Sequence, residues 1–464
     1  MELIANINQA VNDFVWGVPM LVVLTLTGIL LTLRNRGVQF LKFGHAMKNT
    51  AGKIFEKHSA GSGEVTPFEA VSTALAATVG TGNITGVTYA ITIGGPGAVF
   101  WMWVAGLFGM ATKYTEVLLS VKYRKRDKNG DWVGGPMYYI ERGLKTKWLA
   151  VIFAAFGALA AFGIGSAVQA GSIADSIDAG IRTIFPGFKY DLSLPIGLVT
   201  AAVAAVVLIG GIKRIGSVTS KLVPFMSLIY IIACLAVIFA NISALPGVLS
   251  DIVRGAFSPS AVTGGAVGIS VRTCIVWGMR RGIFSNEAGL GSAPIAHAGT
   301  SEKDPVRQGF YGIFEVFADT FVICTLTALM LLCSGIPIPY GVEAGSDLNL
   351  AAISTVFGSG AGSIIIAVGI TLFAASTILS WGLYGTRCFE YIFGEKSRII
   401  YQVVFVGFVV LGAVADMQLV WDIADTLNGL MALPNLIGVI GLSKVAADMT
   451  GDYFKKQIKA KTRL

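Results

Sequence analysis

The first chemical signal is the run Ala76-Ala77-Thr78-Val79-Gly80-Thr81-Gly82-Asn83, set in the middle of an apolar stretch. Each interior glycine costs a helix about 1 kcal/mol relative to alanine, so the run predicts an unwound turn. Inside a membrane such a turn is tolerated only where protein buries it or where it lines a cavity. Its chemistry suits a zwitterion and a hard cation. Half-helix N–H groups attract a carboxylate. Freed carbonyls, with Thr and Asn oxygens, take an ammonium or an ion such as Na+. A packing face of small residues is the plain alternative. It fits poorly, because Gly80 and Gly82 are two apart, not four, and Asn83 has no place against lipid.

A second run, Gly264 to Gly278, contains Gly265, Gly268, Ser270, Thr273, Cys274 and Trp277 in another apolar segment, and predicts a second break. Phe284-Ser285-Asn286-Glu287-Ala288-Gly289-Leu290-Gly291-Ser292-Ala293-Pro294 follows it. Neither break, read this way, contains an acid, which favours a monovalent cation over Ca2+. Glu315 and Asp319 lie one helical turn apart in a further apolar run. Intramembrane acids carry protons or coupling ions, or pair with cations. Pairing with Lys113, Arg280 or Arg281 is the expectation here. Lys113 and Glu116 are expected to pair on one helix face, and Asn286 and Glu287 to join a cytoplasmic gate beside Arg280 and Arg281. His45, His58 and His297 fall in loops or loop edges and suggest no metal site. The five cysteines read as small buried residues. No cluster for an enzyme's chemistry emerges.

The elements that position these residues follow from composition. The chain has 464 residues, 54% hydrophobic and only 13% charged, with 57 glycines and a mean hydropathy of +0.71. A soluble domain carries roughly 25% charge, so a multi-spanning helical membrane protein is expected. The net charge of +8 does not signal nucleic acid, because the basic residues sit in short loops and not on one solvent face. Spans need ~20 apolar residues. Eleven are predicted: 13–34, 66–93, 96–121, 148–178, 193–211, 217–240, 262–290, 307–333, 358–389, 399–415 and 417–442. With that count, thirty of the 35 basic residues fall on one side. The positive-inside rule then puts the N-terminus outside and the C-terminus in the cytoplasm, in the plasma membrane, with no cleaved signal. With the first span set aside, ten remain. The two broken helices each open a group of five and start on opposite faces. Such corresponding interruptions point to an inverted-repeat transporter. The predicted divisions are 1–60, the extra helix and loop; 61–261, the first repeat; 262–443, the second; and 444–464, a basic tail.

Three motifs carry a family resemblance: Gly94-Gly95-Pro96-Gly97-Ala98-Val99-Phe100-Trp101-Met102-Trp103-Val104, Gly134-Gly135-Pro136-Met137-Tyr138-Tyr139-Ile140 and the Phe284–Pro294 run. The chain resembles the alanine/glycine:cation symporters, also called sodium:alanine symporters. The resemblance implies the leucine-transporter fold and an all-α protein of five plus five helices, with one extra helix in front. It also implies Na+-coupled import of alanine or glycine by alternating access. A proton-coupled carrier, or less readily a channel or ion exchanger, is the alternative.

Site residues follow from the same resemblance. Val79-Gly80-Thr81-Gly82-Asn83 fits the superfamily's first broken helix, which implies a substrate carboxylate at the amides near Thr81 and Gly82. It implies Na+ between the Ala76 and Val79 carbonyls and the hydroxyls of Ser376 and Thr377, with local hydroxyl back-bonding as the alternative. A second Na+ is expected at Thr78 and Asn83. Thr78, Gln169, Thr273, Cys274, Trp277, Gly278, Phe373 and Trp381 complete the expected substrate pocket. Ordinary helix packing is the alternative for Gln169 and the aromatics.

Overall fold

A computed structural model describes residues 2–53, 60–61, 63–258, 260–261, 268–342, 344–415 and 418–461. His58 and the 264–267 part of the expected second break lie outside these residues. The described chain is nearly all helix. Two helices open it, α1 (Glu2–Val15) and α2 (Val18–Arg34), bent at Trp16-Gly17. After two short helices, Val38–Leu41 and Phe43–Asn49, comes α3 (Pro67–Thr78). Its start is written in the sequence. Thr66 accepts from the Glu69 N–H, the Glu69 carboxylate accepts from the Thr66 N–H (2.8 Å), and Pro67 occupies the first turn. The chain leaves helix at Val79 (φ −82°, ψ 87°). It re-forms as a wide turn over Gly82–Gly86 and continues as α4 (Val87–Gly94).

Among the elements that follow are α5 (Ala98–Tyr123), α6 (Lys147–Ile184), α7 (Ser193–Ile209), α8 (Gly211–Ala240), α9 (Val271–Asn286), α10 (Pro294–His297), α11 (Pro305–Cys333), α12 (Ser346–Phe393), α13 (Arg398–Val414), α14 (Gln418–Gly441) and α15 (Ser443–Lys461), with shorter helices at Pro136–Gly143 and Leu245–Phe257. α12 is kinked at Gly358, where φ is +76°. Wide turns also interrupt α6 at Gly163–Ala167 and α11 at Phe317–Cys324. Among the described residues, seven helices are long and apolar enough to cross a membrane. The other four expected spans correspond to the interrupted α3–α4, the charge-bearing α5, the short α7 and α9.

α5 packs on α9 and α11, α6 on α12 and α14, α8 on α3 and α12, and α7 on α13. This encloses the α3–α4 interruption. Leu26, Val203, Phe239 and Ile399 stay exposed; against hydrocarbon they cost nothing, which water would not allow. All five cysteines are buried and free.

Candidate functional site

The two interruptions meet. α9 ends at Asn286, and Glu287 takes a left-handed conformation (φ 53°) that is rare for a residue with a side chain. Gly289 and Gly291 follow with φ of 95° and 84°, and α10 resumes at Pro294. Here the structure departs from the sequence expectation. The second break lies at Glu287–Ala293, not at Trp277-Gly278. α9 runs unbroken through Thr273, Cys274, Trp277 and Gly278. Gly278 serves packing: a Cβ there would lie 2.3 Å from the Ala98 carbonyl oxygen on α5. Thr273 belongs to the Ser270 cap, and Cys274 contacts the Gly255 carbonyl (3.6 Å). Phe373 also lies elsewhere, buried against Tyr230 (ring centroids 5.4 Å apart).

A small cavity sits between the breaks. Thr78, Gly80, Thr81 and Gly82 line it from the first break; Phe284, Ser285 and Glu287 line it from the end of α9. Ile164 and Gln169 of α6, Thr377 and Trp381 of α12, and Trp421 and Asn428 of α14 close it. Of the expected pocket, Thr78, Thr81, Gly82, Gln169 and Trp381 therefore share one space. Thr81 Oγ1 donates to Gln169 Oε1 (3.4 Å), while Gln169 Nε2 donates across the α6 wide turn to Ile164 O (3.0 Å). Trp381 is held in place from behind, since a Cβ on Gly165 would lie 2.1 Å from its own Cβ.

The cavity carries a carboxylate that the sequence reading assigned to a gate. Glu287 Oε1 accepts from Trp381 Nε1 (3.2 Å), and Oε2 accepts from Ser292 Oγ. Each oxygen, so bonded, keeps a lone pair for another donor. Thr81 and Gly82, at the first turn of the restarting helix, line the same cavity, where first-turn N–H groups lack partners in their own helix.

Two oxygen clusters flank the cavity. In the first, Ser376 Oγ and Thr377 Oγ1 each reach Ala76 O at 3.1 Å, and Phe373 O at 2.8 and 3.0 Å. Each hydroxyl has one proton and two carbonyls in reach. Turned to Phe373, it presents a lone pair beside Ala76 O, with Val79 at the chain's exit from helix. In the second, Asn83 Oδ1 accepts from the Gly80 N–H (2.8 Å) and its amide donates to Asp319 (2.6 Å) and Ser285 (3.0 Å). Ser285 and Thr320 hydroxyls also donate to Asp319 (2.9 and 3.0 Å). Thr78, expected beside Asn83, bonds back to Ala74 and Leu75 of its own helix instead.

Among the other buried charges, Glu315 pairs with Lys113 (3.2 Å), one of its expected partners, whereas Glu116, expected to pair with Lys113, instead accepts from Asn435 (2.5 Å) and the Gly289 N–H (3.1 Å). His297 is not peripheral: it is fully buried, bonded to Glu315 (3.1 Å) and Gln308 (2.9 Å). Arg280, counted with the cytoplasmic loops above, sits mid-α9 and pairs with Asp425 of α14 (3.4 Å). At the loop end, buried Arg387 of α12 pairs with Asp127 (3.4 Å) and Asp131 (3.3 Å). Beside them, burial opposes ionisation of Glu64. Bonds from Trp132 (3.0 Å) and Gly61 (3.2 Å), and the Arg126 guanidinium, nevertheless hold its carboxyl below the ordinary range.

Comparison with known proteins gives the same direction. The model of the sodium:alanine symporter family matches residues 1–463. The sodium/alanine symporter AgcS of Methanococcus maripaludis is 45% identical, over 97% of both chains. The amino-acid carrier protein AlsT of Bacillus subtilis is 38% identical, over 96% of this chain and 91% of its own. Among solved structures, that of MhsT in complex with L-phenylalanine aligns with a TM-score of 0.60 at 13% identity, covering 84% of this chain and 99% of that one. The last likeness is one of fold alone.

Proposed function

The chain belongs to the sodium:alanine symporter family, and from that premise we propose that it imports alanine and glycine with Na+ by alternating access. Eleven spans, five plus five inverted after an extra first helix, would carry the cycle in the plasma membrane, with the N-terminus outside. The observation that carries this reading is the cavity between the two facing breaks. One wall offers helix-start N–H groups to a carboxylate; the other offers Glu287 to an ammonium. Trp381, Phe284 and Trp421 leave little room for a side chain. Beside the cavity, Ala76 O with Ser376 and Thr377 suits one Na+, and Asp319 with Ser285, Thr320 and Asn83 suits a second.

The test is uptake of labelled alanine into proteoliposomes. Uptake is expected to follow an inward Na+ gradient, with glycine competing and leucine and phenylalanine not. Unchanged uptake when choline replaces Na+ would sink the coupling. Recovery by a pH gradient would put a proton in sodium's place. By reciprocity, alanine must tighten Na+ binding by the factor that Na+ tightens alanine binding.

Thr377→Ala is expected to raise the half-saturating Na+ concentration roughly 10-fold, the scale of one bond to a charged group. Maximal uptake at saturating Na+ should remain near normal, since mass action replaces a lost ligand. Thr377→Ser should restore the midpoint. A sodium titration with an unmoved midpoint would make Thr377 a packing residue.

A further inference from the structure

The extra helix in front of the five-plus-five unit needs no place in a transport cycle, yet its inner face is built onto the cavity's cover. Asn12 of α1 uses both ends of its amide there. Its Nδ2 donates to Asp425 Oδ2 (3.0 Å) and Thr426 Oγ1 (3.1 Å), and its Oδ1 accepts from Arg280 (3.4 Å). One side chain thus joins both members of the Arg280–Asp425 pair. At the bend after α1, Trp16 Nε1 donates to the Asp425 carbonyl (3.1 Å). Its ring lies 6.0 Å from Phe284, which in turn lies 6.2 Å from Trp421; both of these line the cavity. The Arg280 guanidinium stands 5.8 Å over the Trp16 ring. α1 is seated closely. A Cβ on Gly429 of α14 would fall 2.1 Å from Val15 Cγ1. Asn12, Val15 and Trp16 are buried, while Leu3, Ile7 and Phe14 on other sides of the helix stay exposed. A helix serving only as an anchor would bury apolar side chains here. This one buries a polar amide that matches the donor–acceptor pattern of an ion pair, a match that a displaced helix loses at a cost.

We propose that Asn12 and Trp16 are positioning residues of the outer gate: α1 holds Arg280 and Asp425 together over the substrate, and the gate opens by releasing them from Asn12. The proposal takes its direction, outside, from the transport reading above. Its test needs neither Na+ nor alanine, so the two stand or fall separately.

The test introduces Asn428→Cys, on the cavity wall one turn from Asp425, and follows labelling by a membrane-impermeant thiol reagent added outside. Labelling of the parent chain is subtracted. Asn12→Ala is expected to speed labelling about 5- to 10-fold, the scale of one or two bonds lost. Asp425→Asn should act similarly. The Asn12→Ala/Asp425→Asn double variant should label no faster than the faster single one, because the two residues act as one unit. Trp16→Phe, which keeps the ring and loses the donor, should give a smaller increase. Asn12→Asp has the same size and sets a second carboxylate beside Asp425, so it should speed labelling even if the alanine variant reaches the membrane poorly. Unchanged labelling in Asn12→Ala and Asn12→Asp, or fully additive effects in the double variant, would overturn the proposal.

Discussion

Asp319→Asn is expected to lower sodium-driven alanine uptake by about 100-fold or more, with no recovery at high Na+. Asp319 is fully buried in the wide turn of α11 and collects donors from beside both breaks, Asn83 after the first and Ser285 from the last turn of α9 before the second. An ionised carboxylate at membrane depth needs a compensating charge or ion. The neighbouring acid Glu315 is matched by Lys113. At Asp319 the surroundings are hydroxyls and one amide, a set that a sodium ion entering the cluster can displace. Asparagine keeps the size and one acceptor oxygen for Asn83, and the Ser285 and Thr320 hydroxyls can turn to accept from its amide nitrogen, so the fold should survive. Removing one charge of a buried pair costs about 3–5 kcal/mol, two or more decades of ion affinity. The measurement is a sodium titration of uptake, normalised to protein in the membrane. It separates Asp319 from Thr377, whose loss saturating Na+ should offset. Sodium-dependent uptake retained in Asp319→Asn would remove the second ion from this cluster.

The first break was legible because its cause is local. Two glycines two residues apart, among hydroxyls and an amide, have no use in a lipid-facing helix, and the chain unwinds at Val79 and Gly80. The second was misplaced because glycine has two uses that look alike in sequence. At Gly278 it admits the α5 backbone; at Gly289 and Gly291 it supplies positive φ. The decisive residue, Glu287, is no glycine, yet it takes a left-handed backbone (φ 53°) that its residue type gives no reason to expect. The sequence signal available was the string Glu287-Ala288-Gly289-Leu290-Gly291 ending at Pro294, which closes one helix and opens another. The polar pairings were legible only in part. Lys113 stood among the expected partners of Glu315, about 200 residues away, but the nearer Glu116 turns to Asn435 and the Gly289 N–H instead. Asn12 meets Asp425 across 413 positions. Periodicity tells which face a residue takes, not which face of another helix it meets.

Glu287→Gln is expected to weaken alanine binding at saturating Na+ by roughly 30- to 1,000-fold. The range corresponds to the 2–5 kcal/mol that truncating one member of a buried, hydrogen-bonded charge pair costs. The left-handed turn at Glu287 brings its carboxylate to the cavity, where Trp381 and Ser292 fix one donor on each oxygen. An acceptor group so fixed, sharing one small cavity with the helix start at Thr81 and Gly82, is complementary to a zwitterion with its ammonium toward Glu287. Glutamine keeps the length and still accepts from Trp381. It loses the charge, and its amide hydrogens face the ammonium. Sodium affinity in the absence of alanine should change far less than alanine affinity, because the two oxygen clusters are built from other residues. A direct binding measurement decides it, with lactate as a control that has a hydroxyl where alanine has its ammonium. Lactate should compete poorly with alanine in the parent chain, and Glu287→Gln should narrow the gap between the two. Equal alanine affinity in Glu287→Gln and the parent chain would mean that the unwound carbonyls of the first break hold the ammonium, and that Glu287 only braces Trp381.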